Sequence, residues 1–225
     1  VADRAAPRIL VASDPARETG GVLARAIEEA QRRSGSVRLA MAGGSCVAAL
    51  VFARPALASL WGSIRLTWAD ERCVNFGDPR SNRGNAYRSG ALDATQPPRL
   101  ELPLYLDGET PEEACSRVAA VLEARFQSAL DVLLLGMGPD GHIASLFPGH
   151  SVLEAQGMVT AVLDSPKPPS CRMTLTSSML VTATASVLLA TGEGKRPALQ
   201  RLAAGDRSLP ATSLRGLTVV TDLTL

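Results

Sequence analysis

Asp131-Val132-Leu133-Leu134-Leu135 runs directly into Gly136-Met137-Gly138-Pro139-Asp140-Gly141-His142. Four consecutive apolar residues after an aspartate, without alternation, make the pattern of a strand buried on both faces of a parallel sheet. The run is too short for a helix, and glycines end it. The turn that follows carries a carboxylate and an imidazole two residues apart. It therefore puts reactive groups at a strand's carboxyl end, where open α/β sheets bind ligands.

Working outward, the same unit recurs on both sides. Residues 8–13 read as a first strand, and Asp14-Pro15 supplies an N-cap and an N1 proline for a helix to Arg33 that ends near Gly35. Residues 37–42 read as a second strand, entering Gly43-Gly44 before a helix from about Cys46. Residues 64–68 read as a third, ending at Asp70-Glu71-Arg72. Helices are expected over 81–92, 110–127 and 193–204, the second with Glu112 and Glu113 in its first turn, where the helix dipole favours them. Residues 100–106, 158–163, 186–190 and 217–220 are further extended segments. This alternation implies an α/β fold, a mainly parallel, Rossmann-like sheet with helices on both faces. No internal repeat is visible, and the proline-rich stretch 165–170 is too short for a linker, so a single domain over 1–225 is expected.

The composition supports a globular protein. The chain has 225 residues, 46% hydrophobic and only 4% aromatic, enough for a sizeable core built mainly of aliphatic side chains. A formal net charge of +1 with scattered arginines excludes the clustered basic excess of a nucleic-acid binder. No apolar stretch approaches the roughly 20 residues of a membrane span. Residues 1–8 carry no apolar leader run, so a cytoplasmic location is expected. The four cysteines, Cys46, Cys73, Cys115 and Cys171, form no CxxC pair and are expected to be reduced, mostly buried thiols. With only two histidines and no such pair, no metal site is expected. His150 lacks a loaded setting and reads as a surface residue. Oligomeric state is not legible.

Three strand ends carry chemistry. Gly43-Gly44-Ser45, before a helix, lets the backbone approach a ligand closely and offers free N–H groups and a hydroxyl to a phosphate; the alternative is a turn capped by Ser45. Asp70-Glu71-Arg72, followed by Ser81-Asn82, places three charges directly after an apolar strand; a solvated loop is the alternative. Arg72 there suits a developing oxyanion or a phosphate. The third end, residues 136–142, matches G-x-G-x-x-G, but Asp140 would repel a pyrophosphate, Pro148-Gly149 cuts off the required helix, and the unit lies past the chain midpoint. No dinucleotide cofactor is therefore expected. The glycines instead make room for Asp140 and His142, an imidazole that titrates near neutral pH and can take a proton from water. Arg172, beside the turn 165–170, and Lys195, opening a helix, add basic groups that are either phosphate contacts or solvated side chains.

Together these segments resemble the 6-phosphogluconolactonase family. The matching pieces are Ala42-Gly43-Gly44-Ser45, Trp68 through Val74, Ser81-Asn82, the long block from Asp131 to Gly149, Ser165-Pro166-Lys167-Pro168-Pro169, Arg172 through Thr176, and Gly192 through Lys195. The resemblance implies a fold shared with glucosamine-6-phosphate deaminases and hydrolysis of 6-phospho-D-glucono-1,5-lactone, the second step of the oxidative pentose phosphate pathway, without a cofactor. It implies His142 as base, Arg72 as oxyanion partner and Asp140 as positioning group. It places Gly43, Gly44, Ser45, Asp70, Asn82, Gly138, Arg172 and Lys195 around the substrate. Two departures stand out: Ser45-Cys46-Val47 replaces a Ser-Thr-Pro, and Asn75 replaces a proline. The nearest rival is a glucosamine-6-phosphate deaminase, whose corresponding block continues into Asn-Glu-Pro-Gly, whereas this chain reads Ser145-Leu146-Phe147-Pro148-Gly149. A non-catalytic sugar-phosphate sensor would need an adjoining DNA-binding helix-turn-helix, for which no spare segment exists.

Overall fold

The computed structural model describes residues 6–225; residues 1–5, where part of the leader expectation falls, lie outside it. In chain order the elements are β1 (Arg8–Val11), α1 (Pro15–Ser34), β2 (Val37–Met41), α2 (Ser45–Ala53), β3 (Ile64–Trp68), β4 (Asp70–Arg72), α3 (Asn82–Arg88), β5 (Leu100–Leu102), α4 (Pro111–Phe126), β6 (Val132–Gly136), β7 (Val159–Val162), β8 (Arg172–Leu175), α5 (Ser177–Leu180), β9 (Ala185–Leu189), α6 (Arg196–Ala203) and β10 (Leu217–Thr221).

The principal sheet has seven strands in the order β1-β10-β9-β6-β2-β3-β5, with every neighbouring pair parallel. β6 sits in its middle. Val132, Leu133, Leu134 and Leu135 are all fully buried. Successive strand residues face opposite ways, so both faces of β6 are covered, as the unbroken apolar run requires. Each of these side chains contributes roughly 1.5–3 kcal/mol of burial. The strand enters the sheet through Asp131, whose carboxylate accepts from Arg38 N, Nε and Nη2 at 2.8, 2.9 and 2.7 Å. That bidentate pair pins the register of β6 against β2, Leu39 to Val132, and so sets which residues meet at the far, carboxyl end.

The chain moves outward from β2 to β3 and β5, but from β6 it moves the opposite way, to β9 and β10. The loops after β2 and β6 consequently diverge, and a crevice opens between them. This topological switch point is where the glycine-rich turns lie.

Local signals placed most helix ends. Asp14 caps α1 by accepting from Arg17 N, and Gly35 closes it at φ 70. Thr110 and Glu113 form a reciprocal capping box on α4, which ends at Gln127. Other expectations change. Residues 158–163 form a strand outside the principal sheet: β7 pairs with β8, and β8 with β4, in a separate three-stranded antiparallel sheet. Asp70-Glu71-Arg72 is a strand of that sheet rather than a loop. β8, Arg172–Leu175, was not expected as a strand. The helix at 81–92 shortens to Asn82–Arg88 with Ser81 as its cap, and 100–106 to Leu100–Leu102, because Pro103 ends the ladder. Residues 193–195 form a 3₁₀ turn before α6. His150 is no free surface residue: its Nδ1 accepts from Val152 N at 3.1 Å, and Nε2 lies 3.3 Å from Asp164.

The thiols also depart from expectation. Only Cys46 is buried; the other three are partly exposed. Cys73 and Cys171, far apart in sequence, lie on β4 and β8 extensions with Cys73 N donating to Cys171 O at 3.1 Å, and burial together with the neighbouring Cys171 pushes the Cys73 thiol up. Among the described residues no helix is long and apolar enough to cross a membrane.

Candidate active site

A cleft of about 230 Å³ opens at the switch point, lined by residues of the β2 and β6 turns, β4, Asn82, Arg172 and Lys195. His142 forms part of its wall. The turn that delivers this ring is built locally. Gly141 N donates to Gly138 O, and Gly138 N to His142 O, both at 2.9 Å. Proline follows the first residue of the turn and Gly141, at φ 87, ends it, each where turn geometry favours it.

His142 Nδ1 lies 2.6 Å from Asp140 Oδ1. Partial burial opposes charge on Asp140, but hydrogen bonds from His142 and Lys167 outweigh it and hold the carboxyl at about 2. An ionised carboxylate only accepts, so Nδ1 carries the hydrogen, and in the neutral ring Nε2 keeps the lone pair. Burial pushes the imidazole below its ordinary value; Asp140 pulls it up, and Lys167 pushes it down again. Phe147, 2% exposed, tilts against the ring with centroids 4.8 Å apart and fixes its plane. Gly138 makes the arrangement possible. A Cβ there would stand 2.1 Å from His142 Cε1 and Nδ1 and 2.5 Å from Asp140 Oδ1.

Opposite the dyad, Gly44 takes φ 62, ψ −132, a conformation reserved for glycine, and starts α2 with no side-chain cap. Ser45 is exposed, and its hydroxyl has no partner among the described residues. Lys195 borders the same space with no ion pair among the described residues; burial lowers its ammonium. Arg72 donates through Nη1 to Arg80 O, while its Nε is buried without a partner among the described residues. Free N–H groups, a hydroxyl and unpaired cations around one space suit an anion.

The remaining expected residues also lie at the cleft, but their polar atoms are largely committed. Asn82 Nδ2 donates to Asp70 O at 3.0 Å and Asp70 Oδ1 at 3.3 Å, and its side chain packs against Gly43. Asp70 Oδ2 accepts from Ser145 Oγ at 2.8 Å. Arg172 is 4% exposed; its guanidinium donates to the carbonyls of Lys167, Pro168 and Pro169 and to Ser145 Oγ. It clamps the 165–169 loop more than it offers itself to a ligand. Three residues were not singled out from the sequence. Ser145 bridges Asp70 and Arg172. Glu71, 3% exposed, accepts from the backbone N–H groups of Arg72, Asn82 and Arg83 and ties α3 to β4. Lys167 Nζ reaches Asp140 Oδ1 at 3.1 Å; the signal for it was a lysine held between prolines in a motif already noticed. A second cavity, of about 260 Å³ between Glu71, Phe76, Arg83 and Tyr105, holds no imidazole.

The family model for glucosamine-6-phosphate isomerases/6-phosphogluconolactonase matches residues 12–221. The chain belongs to this family. Among its curated members, the 6-phosphogluconolactonase of Rattus norvegicus is 36% identical, covering 93% of this chain and 88% of the relative. That of Streptomyces coelicolor is 33% identical over the same shares. Solved structures agree in fold: a 6-phosphogluconolactonase from Shewanella baltica superposes with a TM-score of 0.78 at 25% identity, covering 98% of both chains. A monomeric glucosamine-6-phosphate deaminase gives 0.75 at 18% identity, covering 95% of this chain and 96% of its own, so the family's two activities share this architecture. What separates them must lie in the cleft.

Proposed function

We propose that the chain hydrolyses 6-phospho-D-glucono-1,5-lactone to 6-phospho-D-gluconate, the second step of the oxidative pentose phosphate pathway. The observation that carries this reading is the His142 ring. It lines a cleft with unpaired cations, Asp140 holds its Nδ1, burial disfavours its charged form, and the side chain packed on it is the neutral Phe147. An aldose–ketose deaminase needs a further acid in this block, and Phe147 supplies none.

The phosphate sits at the start of α2, against Gly44, Ser45 and Lys195, and anchors the lactone with its carbonyl carbon towards His142. Nε2 takes a proton from water as the water oxygen bonds to that carbon. The carbonyl oxygen becomes an oxyanion facing the guanidinium of Arg72, which lines the cleft. Collapse of the tetrahedral species breaks the bond to the ring oxygen, which receives the proton from the imidazolium. Asp140 holds the tautomer throughout; Asp70, Asn82, Ser145 and Arg172 keep the walls in place. Each step uses side chains, water and substrate alone.

An assay that follows lactone disappearance against the spontaneous background tests this, run beside one for ammonia release from glucosamine 6-phosphate. Lactone turnover without ammonia is the expected result; ammonia release alone would reverse the assignment. Lys195→Ala should raise KM roughly tenfold or more, since it removes a charged contact worth about 1.5–3 kcal/mol, with kcat little changed. Ser45→Ala should raise KM less. Unchanged KM in both variants would move the phosphate elsewhere.

A further inference from the structure

Lys167 lies outside the mechanism given above, yet it is the residue whose charged group comes nearest to the dyad. Its Nζ is 3.1 Å from Asp140 Oδ1 and 3.2 Å from His142 Nδ1. A lysine side chain is costly to immobilise, and here the backbone beneath it is pinned on several sides. Ser165 Oγ donates to Lys167 O at 3.0 Å and accepts from Lys167 N at 3.3 Å. Arg172 Nη2 reaches Lys167 O at 3.1 Å. Ser165 N closes the loop onto Ser170 O at 3.0 Å. The buried arginine that lines the cleft also holds the loop that aims this ammonium.

We propose that Lys167 is a positioning residue which shares the Asp140 carboxylate with His142 and keeps the imidazole unprotonated at working pH. The role goes beyond the hydrolysis reading and draws on it only for the kinetic part of the test.

The reasoning is a charge balance. A carboxylate alone beside an imidazole fixes the tautomer but also favours the imidazolium, which cannot act as a base. Asp140 faces two cations or potential cations. With Lys167 charged, Asp140 and Lys167 already cancel, and protonating His142 would leave the three groups with net positive charge. Asp140 thus sets where the hydrogen sits, and Lys167 sets how readily a second one is accepted. The same repulsion makes the imidazolium, once formed, a better donor to the departing ring oxygen. The other charges around the ring are Asp70 from β4, which favours protonation, Arg172, whose guanidinium lies 5.9 Å from the Phe147 ring centre, and Arg72 and Lys195 at the cleft. None of these cations lies within hydrogen-bonding distance of the dyad, and Lys167 does.

The chain's two histidines make the test direct. The ring resonances of His142 are assigned by their loss in His142→Ala and followed against pH by NMR in the wild-type protein, Lys167→Met, Lys167→Gln and Lys167→Arg. Removing the cation should move the His142 midpoint to higher pH in the Met and Gln variants, and Lys167→Arg should restore it. The acid limb of kcat/KM should move in the same direction, so that Lys167→Met loses roughly tenfold more activity at pH 6 than at pH 8. A His142 midpoint unchanged or lowered in both Met and Gln variants overturns the proposal, as does an equal loss of activity at all pH values. The NMR midpoints need no substrate. A shifted midpoint in a protein without lactonase activity would therefore fault the function assigned above and leave the role of Lys167 standing.

Discussion

His142→Ala should lower kcat by roughly 10²–10⁴-fold, the range for loss of a positioned general base, while KM stays within about threefold of wild type. The split follows from the layout of the cleft. The groups suited to phosphate lie on the β2 turn and at Lys195, and the imidazole lies on the β6 turn, so removing it leaves the anchor intact. The ring is packed against Phe147 but contributes only one side-chain hydrogen bond to Asp140 and one contact with Lys167, so the fold should tolerate its loss. Residual turnover should become independent of pH across the former acid limb, because the titrating base is gone. A variant that keeps most of the wild-type turnover above spontaneous hydrolysis would remove His142 from the chemistry.

Gly138→Ala should cost nearly as much while leaving every reactive group in the chain. Gly138 is not in the positive-φ region, so its backbone accepts alanine; only the space is missing. The added methyl would stand 2.1 Å from the His142 ring, and the turn hydrogen bonds of Gly138 hold the backbone in place. The ring must therefore rotate or slide, which breaks the 2.6 Å contact to Asp140 and turns Nε2 away from the substrate. A fall in kcat of about 10²-fold is expected, with thermal stability close to wild type. Combining it with His142→Ala should add little, since both changes disable one unit. A Gly138→Ala enzyme with more than half the wild-type kcat, or a double variant whose losses multiply, would show that the ring position is not what Gly138 protects.

Several features were legible because their causes are local. The burial of β6 on both faces follows from Val132 through Leu135 alone, and the turn after it from Pro139 and Gly141 at their positions. The caps of α1 and α4 each rest on residues within one helical turn. A carboxylate and a histidine two apart in a tight turn must lie close, so the Asp140–His142 pair was readable before any coordinates. The second sheet was not. β4 pairs with β8 across about a hundred residues, and nothing in Asp70-Glu71-Arg72 distinguishes a short strand from a charged loop until Arg172–Leu175 lies beside it. The same holds for Cys73 against Cys171.

The sequence by itself determined the class of fold, the strand that leads into the cleft, and the pairing of His142 with Asp140, because each is encoded in a few adjacent residues whose sterics and polarity act within a turn or a strand. Only the tertiary structure decided which charged side chains are spent and which remain available. Arg172 is consumed by carbonyls of the 165–169 loop, Asn82 by Asp70, and Lys167 by the dyad, while Lys195 stays unpaired. A long polar side chain reaches several possible partners, and which of them it meets depends on how distant segments pack, a fact that no local window of residues contains.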